Sequence, residues 1–120
     1  MEKPEERIAD FEERTFRFAQ DVRAFVKQLP RTLSNREDVI QLIRASGSVA
    51  ANYIEANDSL GKRDFLMRLR IARKEAKECR LFLRLVDLQE NLQLKETRRR
   101  LCQEAVELKL ILSAMIRNGS

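Results

Sequence analysis

Few side chains in this sequence could support acid-base chemistry. Glu55, Glu75 and Glu78 lie near the predicted apolar faces of two helices, where a carboxylate could act as a general acid or base. Cations on the neighbouring helix could pair with these glutamates, and the candidates are Arg44, Arg68 and Lys74. Since glutamates beside a helix contact usually pair with such cations, we expect structural ion pairs rather than a catalytic site.

Metal-assisted and nucleophilic chemistry have even less support. The chain has no histidine, so it lacks the usual residues of a zinc site, a di-metal bundle or a Cys-His pair. Cys79 and Cys102 stand far apart without CxxC spacing, and we interpret both as structural thiols. No phosphate-binding glycine loop or nucleophile elbow is present. We therefore predict a protein that is not an enzyme and has no metal, cofactor or small-molecule substrate.

A repeating set of basic residues is more informative. Five cations recur at spacings of three and four along the third predicted helix, and we call them the basic flank: Arg70, Arg73, Lys77, Arg80 and Arg84. Each follows a core position by one residue, which is about 100° around the helix. Asp87 is the only acidic residue three or four positions away from any of them, so pairing within the helix leaves most of the set free.

This set predicts a binding surface for nucleic acid or another polyanion, because it could contact several backbone phosphates over about 20 Å. A second basic run follows on the fourth predicted helix: Arg98, Arg99 and Arg100. No aromatic residue lies within the basic flank, which argues against stacking on single-stranded bases. A solvated charged face without a partner is the alternative interpretation.

The composition predicts the kind of protein that carries these residues. The chain has 120 residues, 43% hydrophobic and 36% charged, with three glycines and two prolines, which favours one domain of long helices over 1–120. The net charge of +5 is uneven, since residues 1–60 contribute −2 and residues 61–120 contribute +7. No apolar leader or run of about 20 apolar residues is visible, so we expect a cytoplasmic protein without membrane contact.

Apolar spacing predicts four helices, at about residues 5–29, 35–57, 62–89 and 93–117. Pro30 should end the first, and Ser34 with Glu37 should form a capping box for the second. Gly47 within the second helix suggests the close approach of a neighbour. Short connections favour an all-α, antiparallel, up-down-up-down four-helix bundle.

The predicted core faces follow the same spacing. The first helix carries Ile8, Phe11, Thr15, Phe18, Val22, Phe25 and Leu29, and the second carries Val39, Ile43, Ala50 and Ile54. The third carries Phe65, Leu69, Ala72, Ala76, Cys79, Leu83 and Val86, and the fourth carries Leu101, Ala105, Leu108, Leu112 and Met115. Further apolar residues lie outside these faces, and one bundle cannot easily cover all of them: Phe16, Val26, Ile71, Phe82, Leu110 and Ile111. Their burial between subunits predicts a homo-oligomer.

Residues 43–83 resemble the bacterial four-helix bundle proteins encoded by intervening sequences within large-subunit ribosomal RNA genes. The family's Ser-x-x-x-Asn-x-x-Glu-Gly signature is matched by Ser48, Asn52 and Glu55, with Ala56 in place of the usual glycine. The family's later glutamate corresponds to Glu78, after Lys74-Glu75 in place of the usual Gly-Ser pair. The resemblance extends over nearly the whole chain.

The resemblance implies a ring-like homo-oligomer, with a homopentamer favoured. A related branch, the accessory proteins of diversity-generating retroelements, comprises basic pentamers that bind a reverse transcriptase and nucleic acid. Our first hypothesis is a noncatalytic homo-oligomeric bundle that binds RNA or a nucleoprotein through the basic flank. The alternative is a protein-binding scaffold or accessory subunit that contacts an acidic protein surface, including a retroelement reverse transcriptase.

Overall fold

The computed structural model describes residues 2–119, which form four α-helices connected by short loops. α1 spans Pro4–Val26, α2 spans Leu33–Asn57, α3 spans Lys62–Leu85 and α4 spans Leu92–Gly119. Consecutive helices pack together and α1 also packs against α4, so the helices occupy four corners in chain order. The predicted all-α, up-down-up-down four-helix bundle is confirmed, and the described part of the chain contains no strand.

The first loop differs from the sequence prediction at both ends. α1 ends at Val26 rather than at residue 29, because the Gln28 and Leu29 amides donate to carbonyls three residues earlier, a tightening typical of helix ends. The predicted capping box at Ser34 is wrong. Thr32 is the N-cap, in extended geometry, and its hydroxyl accepts a 3.2 Å hydrogen bond from the Asn35 amide, so Ser34 lies inside the first turn of α2.

α3 ends four residues before its predicted boundary at residue 89. The backbone becomes extended at Val86 and then left-handed at Gln89 and Glu90, whose φ angles are 49° and 62°. A right-handed helix cannot continue through this geometry. Asn91 then accepts a 3.0 Å hydrogen bond from the Leu94 amide, which caps the start of α4.

The predicted core faces of α1, α3 and α4 are largely confirmed, whereas the predicted face of α2 is wrong. Ile54 is 49% exposed, and the buried apolar face of α2 consists of Leu42, Ala45, Val49, Tyr53 and Ala56. α2 has apolar residues in two registers, and the bundle buries the one that contains Leu42, Val49 and Tyr53. The Tyr53 ring packs edge-on against Phe11, with ring centroids 4.7 Å apart.

Gly47 does not mark the close contact that its position suggested. A Cβ atom there would lie 3.4 Å from the end of the Arg23 side chain, an ordinary contact with a flexible group. The completely buried residues of this stretch are instead Ala45, Ser46 and Val49. Ser46 also accepts a 3.3 Å hydrogen bond from Arg23, which joins α2 to α1.

Asn35 is a buried amide that joins the loops at one end of the bundle. Its side-chain nitrogen donates to the Pro30 carbonyl at 3.0 Å and to the Asp87 carbonyl at 2.9 Å. Its side-chain oxygen accepts from the Asp87 amide at 2.8 Å. Asn35 is only 2% exposed, so these bonds are shielded from water and fix the loop after α3 against the loop before α2.

A second polar contact joins α2 to α3. The Arg44 guanidinium pairs with Glu75 at 3.4 Å and with Glu78 at 3.1 Å. The Glu75 side chain is only 6% exposed, whereas that of Arg44 is 52% exposed. This ion pair therefore has one shielded carboxylate and one partly solvated cation.

Replacing Asn35 by alanine should lower the free energy of unfolding by about 3 kcal/mol, because buried amide and carbonyl groups lose their partners. Urea unfolding followed by circular dichroism should show a lower midpoint with an unchanged slope. The control is Asn57→Ala, which removes bonds from an exposed side chain to the Tyr53 carbonyl and hydroxyl and should cost less than about 1 kcal/mol. Equal midpoints for the two variants would contradict the role of Asn35.

Arg44→Met should destabilise the bundle by about 2 kcal/mol, because it leaves the buried Glu75 carboxylate with only the Lys74 ammonium, 4.0 Å away. We expect less than the cost of breaking a fully buried pair, since Arg44 is half exposed. The double variant Arg44→Met, Glu75→Met should recover most of this loss by replacing the pair with apolar contacts. A double variant no more stable than the single one, measured by the same unfolding experiment, would show that the stranded carboxylate is not the cause.

Candidate nucleic-acid interface

The structure places the basic flank along the side of α3 that faces α4. Arg70, Lys77, Arg80 and Arg84 are exposed, and Arg73 is half-buried where its guanidinium donates a 3.4 Å hydrogen bond to the Ser113 hydroxyl of α4. Within residues 2–119 none of the five takes part in an ion pair. Their charges are therefore available to a ligand.

The basic flank forms one wall of a groove between α3 and α4. Residues from both helices line the central part of this groove: Ala76, Lys77, Arg80, Ala105, Val106 and Lys109. The two alanines and Val106 supply small apolar surface between the cations. Such a groove can hold an extended anionic backbone between positive charges, and it has no aromatic surface for bases.

Lys109 is a basic residue of this groove that the sequence interpretation missed. It lies directly after the core residue Leu108, which is the same offset that defines the basic flank on α3. Applying that offset to α4 would have found it. The groove therefore carries a cation on its α4 wall as well as on its α3 wall.

The structure separates Arg98, Arg99 and Arg100, which the sequence grouped as one basic cluster. Arg98 donates to the Val86 carbonyl at 3.1 Å and so satisfies the end of α3. Arg99 forms a 2.6 Å ion pair with Glu96, and the guanidinium lowers the pKa of that carboxyl. Arg100 lines a different groove, between α4 and α1, together with the acidic residues Asp10, Glu13, Asp21 and Glu104. Arg99 is thus neutralised and Arg100 lies on another groove, whereas Arg98 makes no ion pair within residues 2–119 and lies beside Arg84. The role of the three in binding stays a prediction.

The signature residues lie on or near the contact between α2 and α3. Asn52 donates to the Ser48 hydroxyl and carbonyl, both at 2.9 Å, and accepts a 3.3 Å hydrogen bond from Arg68 of α3. Glu78 pairs with Arg44 farther along the same contact. Glu55 is exposed, and its side chain makes no hydrogen bond or ion pair with the rest of the described chain. Asn52 and Glu78 thus join helices, whereas the ion pair expected for Glu55 is wrong, because this side chain faces solvent.

The two cysteines occupy different environments. Burial, together with the nearby carboxylates of Glu75 and Glu78, raises the pKa of the Cys79 thiol to about 12. Burial also raises the pKa of Cys102, although the charges of Arg80, Arg98 and Arg84 oppose this effect. Cys79 is therefore a neutral core residue, while Cys102 lies half-buried beside the basic flank.

The described residues offer little for other kinds of site. Across residues 2–119, no three side chains among His, Cys, Asp and Glu come together in a way that could hold a metal ion. None of the four helices, over the same residues, combines the length and apolar character that spanning a bilayer requires. The α3–α4 groove, by contrast, brings together several cations that make no ion pair within residues 2–119.

Comparisons with known proteins agree with this architecture. The family model described as "23S rRNA-intervening sequence protein" matches residues 9–114. A 1.70 Å crystal structure of a protein of unknown function, from the S23 ribosomal protein family of Bacteroides thetaiotaomicron VPI-5482, superposes with a TM-score of 0.77. The two chains are 26% identical, over 88% of this chain and 96% of that one. The search of curated proteins gives no significant match.

The match of the family model covers all four helices, including the basic flank and the polar contact between α2 and α3. The resemblance inferred from Ser48, Asn52 and Glu78 is therefore confirmed. The chain belongs to the 23S rRNA-intervening sequence protein family.

Proposed function

We propose that this protein is a noncatalytic, homo-oligomeric bundle of the cytoplasm that binds structured RNA, free or within a nucleoprotein, through backbone phosphates. The observation that carries the proposal is the basic flank, five cations without an ion pair on one side of α3. From Arg70 to Arg84 the flank extends for about 21 Å, which suits several consecutive phosphates.

The chemistry of the groove favours phosphates over bases. Arginine and lysine bind phosphate oxygens without reading sequence, whereas base recognition uses aromatic stacking or polar contacts with base edges. The groove supplies cations with small aliphatic side chains between them. A folded RNA presents its phosphates outward and keeps its bases stacked, so it can bind here without losing base stacking.

The comparisons favour RNA among the polyanions. The matching family is described by the intervening sequence of 23S rRNA, and the similar Bacteroides protein is assigned by its description to a ribosomal protein family. Neither description states what the protein binds. An acidic protein surface, including that of a reverse transcriptase, is the competing partner, and nuclease treatment separates the two.

Exposed apolar side chains support assembly of several copies. Phe16 on α1 and Leu110 on α4 are both more than half exposed, as are Ile40 on α2 and Leu85 on α3. Apolar residues on all four helices could contact different neighbours, as in a ring of identical subunits. The family resemblance favours five subunits.

The first prediction concerns the size of this assembly. Light scattering at micromolar concentration should give a mass larger than that of a dimer, against a chain mass of 14.1 kDa. Phe16→Ser should shift the population to smaller species, whereas Gln20→Ser, one turn farther along α1, should not. A monomeric mass for the unmodified protein would refute the assembly.

The second prediction concerns RNA binding. Reversing Arg73, Lys77 and Arg80 to glutamate should abolish retention of a hairpin RNA in a filter assay, with helicity and oligomer mass unchanged, because none of the three is a core residue. For the unmodified groove, contact with about four phosphates predicts a slope of log affinity against log salt of roughly −3.6.

A matched control reverses three exposed cations on the other side of the bundle, Arg7, Arg17 and Lys27, with the same change in net charge. This control should retain the RNA and a similar salt slope. If the groove variant also retained the RNA with an unchanged slope, the basic flank would be excluded as the site. Capture of a protein partner that survives nuclease treatment would instead support the scaffold alternative.

A further inference from the structure

α3 has a second line of heptad spacing on the face that points away from the core. We call it the outer seam, and its members are Met67, Ile71, Lys74, Glu78, Leu81 and Leu85. These positions lie two residues, about 200°, from the core positions. Met67, Leu81 and Leu85 are 46%, 48% and 55% exposed, and Ile71 is half-buried. A solvated helix face rarely carries four large apolar residues at this spacing.

Two copies of the outer seam that run in opposite directions have complementary side chains. When two copies of α3 lie antiparallel, Met67 of one faces Leu85 of the other, and Ile71 faces Leu81. The central layer then brings Lys74 of each copy opposite Glu78 of the other, in addition to the pairs these residues form with Glu75 and Arg44 of their own chain. Apolar side chains therefore meet apolar side chains in the outer layers, and opposite charges meet in the middle.

We propose that the outer seam is a docking surface for a second copy of this chain, packed antiparallel about a twofold axis at the middle of α3. The self-complementary order of apolar and charged residues is what identifies the occupant. A contact of this kind is isologous, since the same patch serves both partners. It cannot link subunits around an odd-numbered ring, so it joins two chains or two rings.

The twofold contact has a consequence for the basic flank. The axis is perpendicular to both α3 helices, so the side of α3 that faces α4 stays on the same side of the pair in both copies. Two basic flanks then run side by side, with helix axes about 8–10 Å apart. The two flanks should form one shared RNA-binding face. This expectation rests on the proposed function, whereas the contact between the chains does not.

Cross-linking tests the contact directly and without RNA, at a salt concentration high enough to screen the repulsion between the two basic flanks. In a Cys102→Ser background, the double variant Met67→Cys, Leu85→Cys should form a covalent dimer with a short bismaleimide, seen by denaturing electrophoresis. Buried Cys79 should stay unlabelled. Each pair can link at both ends, so the product should stop at the dimer. A head-to-tail contact would instead extend to trimers and longer chains.

The two single cysteine variants are the controls. In the antiparallel arrangement a residue at position 67 lies about 27 Å along the helix from position 67 of its partner, and the same holds for position 85. Neither single variant should give a dimer. Absence of the dimer from the folded double variant, a ladder of larger products, or equal dimer from a single variant would each overturn the proposal.

Charge reversal in the same background tests the central layer. Lys74→Glu alone, or Glu78→Lys alone, places like charges opposite each other and should abolish the cross-linked dimer. The two changes together restore opposite charges and should restore the dimer. Within one chain, Glu78 pairs with Arg44, Lys74 pairs with Glu75, and Lys74 and Glu78 are themselves four residues apart. The unfolding midpoint of each variant is therefore measured as well, and the dimer should be lost from the single variants and regained in the double variant without a parallel change in stability. A double reversal that stays monomeric would contradict the antiparallel pairing.

Discussion

The burial of one side of α3 determines where all its other side chains point. Leu69, Ala72, Ala76, Cys79 and Leu83 are completely withdrawn from solvent, and their position fixes the rotation of the helix about its axis. The basic flank then faces α4, Glu75 faces α2 and the outer seam faces away from the bundle. A rotation of α3 by one residue would bury cations, which is too costly without partners. Three surfaces thus depend on one apolar contact.

The rotation of α3 about its axis does not fix its position along that axis relative to the neighbouring helices. Apolar contacts have little directionality, and a shift by one turn would preserve many of them. Hydrogen bonds are directional, and the buried amide of Asn35 accepts from and donates to the backbone of Asp87, just beyond the end of α3. That pair of bonds specifies the position of α3 against α2. The ion pair of Arg44 with Glu75 holds the middle of the same contact.

Prediction from the sequence was most accurate where a helix has only one uninterrupted apolar register. On α3 a single register is continuously apolar, so its core face, and hence the basic flank, could be placed correctly. α2 has two apolar registers, and neither Ile54 nor Val49 reveals which one will be buried until α1 and α3 are in place. The capping by Thr32 and the left-handed backbone at Gln89 and Glu90 depend on loop geometry, which residue types specify weakly. The contacts of Arg98 could not be predicted, because its carbonyl partners belong to the end of another helix.

The two halves of the chain differ in net charge, and the fold places them on different sides of the bundle. α1 and α2 lie beside each other, as do α3 and α4, so the segment with net charge −2 and the segment with net charge +7 occupy opposite sides of the bundle. The molecule therefore has a permanent electric dipole directed across the bundle, from one pair of helices to the other. In the field of a polyanion this dipole produces a torque that turns α3 and α4 toward the ligand before any contact forms. Productive encounters are then more frequent than random tumbling would allow, and added salt shortens the distance over which the orientation begins.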